Sequence, residues 1–128
     1  MPKNNLFLNE DGIIEIITIG DRTSSAIQNS AAKVFELAKK LRKSDQPVLL
    51  LNDISQIGVV PPEAHKTFAD ITKDADYDRF ALVGSDNVSR LGANLIAQAI
   101  GKVEEFKYFD SREDATAWLL AFKRQPNE

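Results

Sequence analysis

The sequence predicts one α/β domain with a mostly parallel five-stranded sheet, an N-terminal antiparallel hairpin and four helices. Two apolar runs without alternation, at Val48–Leu51 and Arg79–Gly84, are typical of strands that are covered on both faces. The segments that follow these runs have apolar residues at the 3.6-residue period of helices, so strands and helices alternate along the chain. We expect a single domain over residues 1–128, with about 124–128 as a frayed tail.

The first elements are a hairpin and a long helix. Leu6–Leu8 and Ile13–Ile19 flank a turn that ends in Asp11-Gly12, a hairpin signal because glycine readily adopts positive φ. A hydroxyl of Thr23-Ser24 can cap a helix that runs to about Lys43. The predicted apolar stripe of this helix is Ile27, Ala31, Val34, Phe35, Ala38 and Leu41.

The rest of the chain supplies three more helices and the remaining strands. The apolar run of the central strand ends at Asn52, and a loop leads to Pro61-Pro62, which can begin the second helix. Ser85–Asn87 caps the third helix, Glu104–Phe109 forms the other edge strand, and Ser111 caps the fourth helix. The predicted apolar stripes of these helices are Ala64, Phe68 and Ile71; Val88, Leu91, Leu95, Ile96, Ala99 and Ile100; and Ala115, Trp118, Leu119 and Phe122.

Composition excludes several classes of function. With 16 basic and 19 acidic residues the net charge is −3, which does not favour a nucleic-acid partner. The absence of cysteine excludes disulfides, thiol catalysis and cysteine-ligated metal. No apolar run approaches the ~20 residues of a membrane span, and the N-terminus does not look like a signal peptide. We expect a cytoplasmic protein with no cofactor and no bound metal.

Three local patterns are similar to a known family. They are Leu49–Ser55 (LLLNDIS), Ala81–Asp86 (ALVGSD), and Lys107–Asp110 (KYFD) followed by Trp118-Leu119. With the order of elements, they resemble the STAS family, the fold of bacterial anti-sigma-factor antagonists of the SpoIIAA type. The closing pattern is most similar to a divergent, mostly uncharacterised bacterial branch often grouped with the lipid-binding Sec14/CRAL-TRIO fold. The resemblance implies a non-catalytic regulatory or protein-binding module, with binding of a lipid or other small hydrophobic ligand as the alternative.

The sequence departs from the family at the site of phosphorylation. The family's antagonists have Asp-Ser-Ser-Gly at the start of the helix after the central strand, and an alignment through Asp53-Ile54-Ser55 places Pro61–Ala64 on that motif. No hydroxyl residue lies in the segment Gln56–Ala64, so the resemblance implies that the usual switch is absent. Glu63 falls at the phosphoserine position, where it either mimics that charge or simply complements the positive end of the helix.

The candidate binding surface combines the loop after the central strand with the turn at Gly84–Asn87. Function in open α/β sheets usually lies beyond the carboxyl ends of the strands. Val59 and Val60 either form an exposed apolar patch or fold inward onto Phe68, and the sequence leaves both alternatives open. The candidate residues are Asp53, Ser55, Gly58, Val59, Val60, Glu63, Ser85 and Asp86.

Three hypotheses of function follow from these residues. The first is docking to a protein partner, and the second is binding of a small hydrophobic ligand between a helix and the sheet. The third is a small hydrolase or transferase that uses Asp53 and His65. The single histidine has no metal-ligating or nucleophilic neighbour in sequence, which favours a surface residue and a protein that is not an enzyme. The oligomeric state stays open, with a homodimer among the options.

Overall fold

Strands and helices alternate through the part of the chain that the structure describes. The structure, a computed structural model, describes residues 6–123, apart from the side chains of residues 88 and 89. The predicted frayed tail and the stripe position Val88 therefore lie outside the described residues. The elements are β1 (Leu6–Leu8), β2 (Ile13–Gly20), α1 (Ser24–Lys43), β3 (Leu49–Ile57), α2 (Pro62–Asp74), β4 (Arg79–Val83), α3 (Asn87–Ile100), β5 (Phe106–Phe109) and α4 (Arg112–Lys123).

The strands form one mixed sheet in the order β1-β2-β3-β4-β5. β1 is antiparallel to β2, and the other neighbours are parallel. One line of paired residues crosses the parallel strands, from Ile14 through Leu50 and Phe80 to Phe106. The prediction of a mostly parallel α/β sheet with an antiparallel hairpin is confirmed.

The hairpin turn and the first helix begin as the sequence predicts. The Asn9 side chain accepts hydrogen bonds from the backbone N–H of Asp11 at 2.8 Å and of Ile13 at 3.0 Å. Gly12 has φ +81°, a left-handed conformation that glycine adopts at low cost. At α1, Thr23 is the cap, because its Oγ1 accepts a hydrogen bond of 3.1 Å from Ala26 N–H.

The core has two layers, one on each face of the sheet. Helices α1, α2 and α3 cover one face of the sheet, which we call the cavity face. Helix α4 covers the opposite face, which we call the α4 face. Successive residues of β3 alternate between these faces, with Leu50 on the cavity face and Leu49 and Leu51 on the α4 face. All three leucines are buried, which confirms a central strand that is covered on both sides.

The central strand is longer than the sequence indicates. It continues past Asn52 to Ile57, because the carboxyl half of β2 pairs with it: after a bulge, Ile19 lies opposite Gln56 and Gly20 opposite Ile57. The loop to α2 is therefore reduced to residues 58–61. Pro62 takes the first helical position, as predicted for the proline pair.

Helix α3 presents a different stripe from the predicted one. Leu91 and Leu95 are 63% and 66% exposed, whereas Ala93 and Ala97 are buried. Ala93, Ala97 and the partly buried Ile96, which belongs to the predicted stripe, pack against the core, whereas Leu91 and Leu95 lie outside. On α4, Ala115 and Leu119 are fully buried as predicted.

Two other details of the predicted elements need correction. Trp118 and Phe122 are only partly buried on α4, and the guanidinium of Arg79 lies 5.8 Å and 4.7 Å from their ring centres. The last edge strand begins at Phe106, because the preceding residues form a turn in which Phe106 N–H donates to the carbonyl of Lys102.

The two leucine environments give a matched test of the packing. Leu51→Ala should lower the free energy of unfolding by roughly 2–5 kcal/mol, since it removes a fully buried side chain from the α4 face. Leu91→Ala, the control, should change it by less than about 0.5 kcal/mol because Leu91 is exposed. Urea unfolding of both variants measures the difference, and equal costs would contradict the burial described here.

Candidate functional site

A cavity of 330 Å³ lies between the sheet and helices α1, α2 and α3. Its floor on the sheet includes Ile16, Leu50 and Leu82. Ring contacts hold α2 over this floor: the Phe68 ring centre lies 6.0 Å from that of Phe80, in an edge-to-face arrangement. Other apolar wall residues, from the three helices, are Ile27, Ala31, Phe35, Ile71, Ala93 and Ile96. We call this space the central cavity.

Polar side chains interrupt the apolar wall. Thr18 and Asn52 are buried on neighbouring strands, and Thr18 Oγ1 donates a hydrogen bond of 2.9 Å to Asn52 Oδ1. Arg22 lines the cavity just beyond β2, and its Nη2 donates to the Ala26 carbonyl at 3.2 Å and to Ser30 Oγ at 3.0 Å. Buried polar side chains need hydrogen-bond partners, and two of the partners here, Asn52 and Ser30, also line the cavity.

Two loops at the carboxyl edge of the sheet are fastened together beside the cavity. Gly58 N–H donates to the Gly20 carbonyl at 2.8 Å, and Arg22 N–H donates to the Val59 carbonyl at 3.0 Å. Val59 N–H donates in turn to Asp21 Oδ1 at 2.7 Å. A Cβ on Gly58 would overlap this carboxylate, so glycine is needed for the close approach.

The structure separates the two loop valines. Val59 is 69% exposed, whereas Val60 is half-buried and lines the central cavity. The apolar patch that the sequence proposed is therefore formed at this loop by Val59, and Val60 is part of the cavity wall.

Asp53 and Ser55 lie on the α4 face, away from the central cavity. Asp53 Oδ1 accepts hydrogen bonds from Ser55 Oγ at 2.7 Å and from Ser55 N–H at 2.9 Å. Asp53 Oδ2 accepts from Arg112 Nη1 at 3.1 Å. Arg112 also forms an ion pair with the buried Glu15, whose other oxygen accepts from Asn9 Nδ2 at 2.7 Å. We call these five residues the Arg112 cluster.

The cluster shifts the pKa values of two of its members. Burial alone would raise the pKa of Asp53, but hydrogen bonds from Ser55 and Arg112 outweigh it and hold that pKa below its ordinary value. Burial would lower the pKa of Arg112, but its hydrogen bonds to Glu15 and Asp53 raise it. Both shifts favour the charged forms, as in a structural ion-pair network that fastens α4 to the sheet.

The remaining candidate residues lie on the surface at the carboxyl edge. Glu63 is exposed in the first turn of α2, and its carbonyl accepts hydrogen bonds from Ser24 Oγ and Thr67 Oγ1. Ser85 and Asp86 are exposed before α3, and the Asp86 carbonyl accepts from Tyr108 Oη at 3.1 Å. The predicted binding residues therefore do not form one surface. Asp53 and Ser55 lie on the α4 face, and Glu63, Ser85 and Asp86 lie at the carboxyl edge of the sheet. Gly58 and Val60 line the central cavity.

Sequence reasoning missed most of the central cavity. The missed residues include Thr18, Arg22 and Asn52. A signal for two of them was present, because Thr18 and Asn52 are polar residues within strand runs otherwise rich in buried apolar residues. The proposed catalytic pair is not brought together: Asp53 contacts Arg112 on the α4 face, whereas His65 is exposed and borders the cavity on the other face.

The described part of the chain contains neither a metal-binding group of side chains nor a helix able to span a membrane. Within it, no group of three or more His, Asp or Glu side chains is arranged to hold a metal ion. Nor does any helix in that part have the length and apolar character that crossing a membrane requires.

With this geometry established, comparison with known proteins identifies the family. The chain belongs to the SpoIIAA-like family, whose model matches residues 13–120. An uncharacterized protein of the DUF3478 family from Shewanella loihica PV-4, with a SpoIIAA-like fold, superposes with a TM-score of 0.63 at 18% identity, over 90% of each chain. No curated protein matches the sequence. The family and fold are confirmed, and the relation to Sec14 stays a prediction.

The Arg112 cluster predicts a stability that depends on pH. At pH 7, Arg112→Met should lower the free energy of unfolding by about 1–3 kcal/mol, because Glu15 and Asp53 lose a charged donor. Lys66→Met is the control; its pair with Asp70 is exposed, so the change should stay within about 0.5 kcal/mol. Chemical unfolding measures both.

The effect of pH has a definite sign. Because the pKa of Asp53 is lowered in the folded state, its contribution is present above the unfolded-state pKa of about 3.9 and is lost as the pH falls through the folded value. The gap between the parent protein and Arg112→Met should therefore narrow below about pH 4. A gap that widens on acidification would be inconsistent with a charged Asp53–Arg112 contact.

Proposed function

We propose that this protein binds a small apolar molecule in the central cavity. The observation that supports the proposal is a 330 Å³ cavity with mainly apolar walls, placed between the sheet and three helices. Ligand pockets commonly span ~300–1,000 Å³ and combine apolar walls with a few polar groups. As part of the proposal, the protein is not an enzyme and works as a binding or carrier protein in the bacterial cytoplasm.

The volume limits the size of the ligand. At about 30 Å³ for each small group, 330 Å³ accommodates roughly ten non-hydrogen atoms. For small ligands the binding free energy is bounded at ~0.3 to ~1.5 kcal/mol per non-hydrogen atom, so ten atoms allow roughly 3 kcal/mol or more. An apolar ligand of this size should therefore bind with a Kd in the millimolar to micromolar range.

A pair of neighbouring alanines tests whether the cavity is the binding site. Ala31 lines the cavity, whereas Ala32 is exposed on the same helix. Ala31→Phe should fill much of the space and weaken binding of 1-octanol at least tenfold, and Ala32→Phe should leave it unchanged. Titrations followed by two-dimensional NMR measure both affinities, and thermal melts verify folding. If 1-octanol fails to bind the parent protein, or binds both variants equally, the proposal is wrong.

Docking to a protein partner is the second candidate function. The supporting observation is the exposed Val59 on a loop that three hydrogen bonds hold in place, four residues before the acidic Glu63. An apolar side chain on a rigid loop loses little conformational entropy on contact, and a polar rim is usual around such contacts. The two functions are compatible, because Val59 is exposed and is not part of the cavity wall.

Site-specific crosslinking tests the docking surface. A photoreactive benzoylphenylalanine at position 59 should give a discrete protein adduct in cells of the native host. The same residue at position 32, exposed on α1, is the control and should give none. Equal labelling from both positions, or no adduct from position 59, would contradict a docking role for this loop.

A further inference from the structure

The polar residues of the central cavity gather at one end. Thr18 and Asn52 lie in the carboxyl halves of their strands, and Arg22 lies just beyond β2. Ser30 and His65 lie near the N-terminal ends of α1 and α2, which start at the same edge of the sheet. Toward the amino ends of the strands the wall is apolar, apart from the buried Thr72. The cavity is therefore amphipathic along its length.

The charge at the polar end is positive and is not neutralised. Among the described residues, Arg22 forms no ion pair, whereas Arg42, Arg90 and Arg112 each pair with a carboxylate. The carboxylate next to Arg22 in sequence, that of Asp21, accepts a hydrogen bond from Val59 N–H. None of the residues that line the cavity is Asp or Glu. A guanidinium beside an apolar space is costly unless water or a ligand anion completes its hydrogen bonds.

The side chain of Asn52, at the same end of the cavity, also has a hydrogen-bond donor without a partner among the described residues. Asn52 is 8% exposed and lines the cavity. Its Oδ1 accepts from Thr18 Oγ1, and its amide nitrogen makes no hydrogen bond with any described residue. In the orientation observed, the amide offers an N–H donor to a ligand in a mostly buried place. Arg22 Nη1 and Nε likewise make no hydrogen bond with the described part of the chain.

We propose that the ligand is a medium-chain monocarboxylate of about eight carbons. This inference rests on the proposed binding function and names the chemical class of the ligand. The carboxylate binds at the polar end, where the Arg22 guanidinium supplies the charge and Asn52 a neutral donor. The hydrocarbon chain extends along the apolar wall toward Phe68 and Phe80. Octanoate has ten non-hydrogen atoms, which matches the number that the volume accommodates.

The charge at the polar end distinguishes this ligand from others of similar size. A planar guanidinium fork matches the two oxygens of a carboxylate, and hydrogen bonds between charged partners are about twice as strong as those between neutral ones. An alcohol of the same length keeps the apolar contacts but lacks the charge. An alkylamine places a second cation beside Arg22.

The test compares octanoate, 1-octanol and octylamine at pH 7.5. In the parent protein octanoate should bind about tenfold tighter than 1-octanol, and octylamine should bind more weakly than either. Arg22→Gln should reduce the preference for octanoate over 1-octanol to about twofold or less. Lys39→Gln, which removes one exposed charge from α1, is the matched control and should keep the preference. Affinities come from NMR titration, with thermal melts for each variant.

A measurement on the parent protein makes the test independent of how the variants fold. The Nε–Hε resonance of Arg22 should shift when octanoate is added and stay in place with 1-octanol. If 1-octanol binds but octanoate binds no tighter, or the preference survives Arg22→Gln, the carboxylate inference is overturned and the proposed function stands. If none of the three compounds binds, the inference and the proposed function are both wrong.

Discussion

The alternation of side chains along β3 is the constraint on which the rest of the structure depends. Before the bulge, from Leu49 to Ile54, even-numbered residues face three helices and odd-numbered residues face α4. Both faces are buried, so a one-residue slip would exchange the two layers. The same alternation divides the polar residues that follow. Asn52 enters the central cavity, and Asp53 enters the Arg112 cluster on the opposite face.

The central cavity is expensive for a domain of this size. If it were dry and empty, 330 Å³ would cost about 8 kcal/mol, a large share of the ~5–15 kcal/mol that stabilises a typical protein. The wall holds the space open because small residues such as Ala31 and Ala93 face it, while Phe68 rests on the aromatic floor. A ligand such as the proposed carboxylate would offset this cost by mass action.

Much of the fold is readable from sequence, and the site is readable only in part. Unbroken apolar runs, the Asp-Gly turn and the helix caps determine the order and type of the elements, because these signals are local. The prediction for α3 is wrong for Leu91 and Leu95, which are exposed, because the helical period alone does not show which side of a helix packs on the sheet. In α3 the buried side has Ala93 and Ala97. The cavity depends on how far the helices stand from the sheet, and no local pattern encodes that distance.

Asp53 shows how a candidate site residue can become a structural one. From sequence it stands where α/β proteins often place function, and its pKa is shifted, which is frequent in active sites. Its partners decide between these alternatives. Ser55 and Arg112 stabilise the carboxylate, so the group is a weaker base than a free aspartate, and Arg112 joins it to the buried Glu15. These contacts fasten α4 to the sheet. Arg22 lies at the cavity on the other face and, among the described arginines, it is the one with neither an ion pair nor a ring contact.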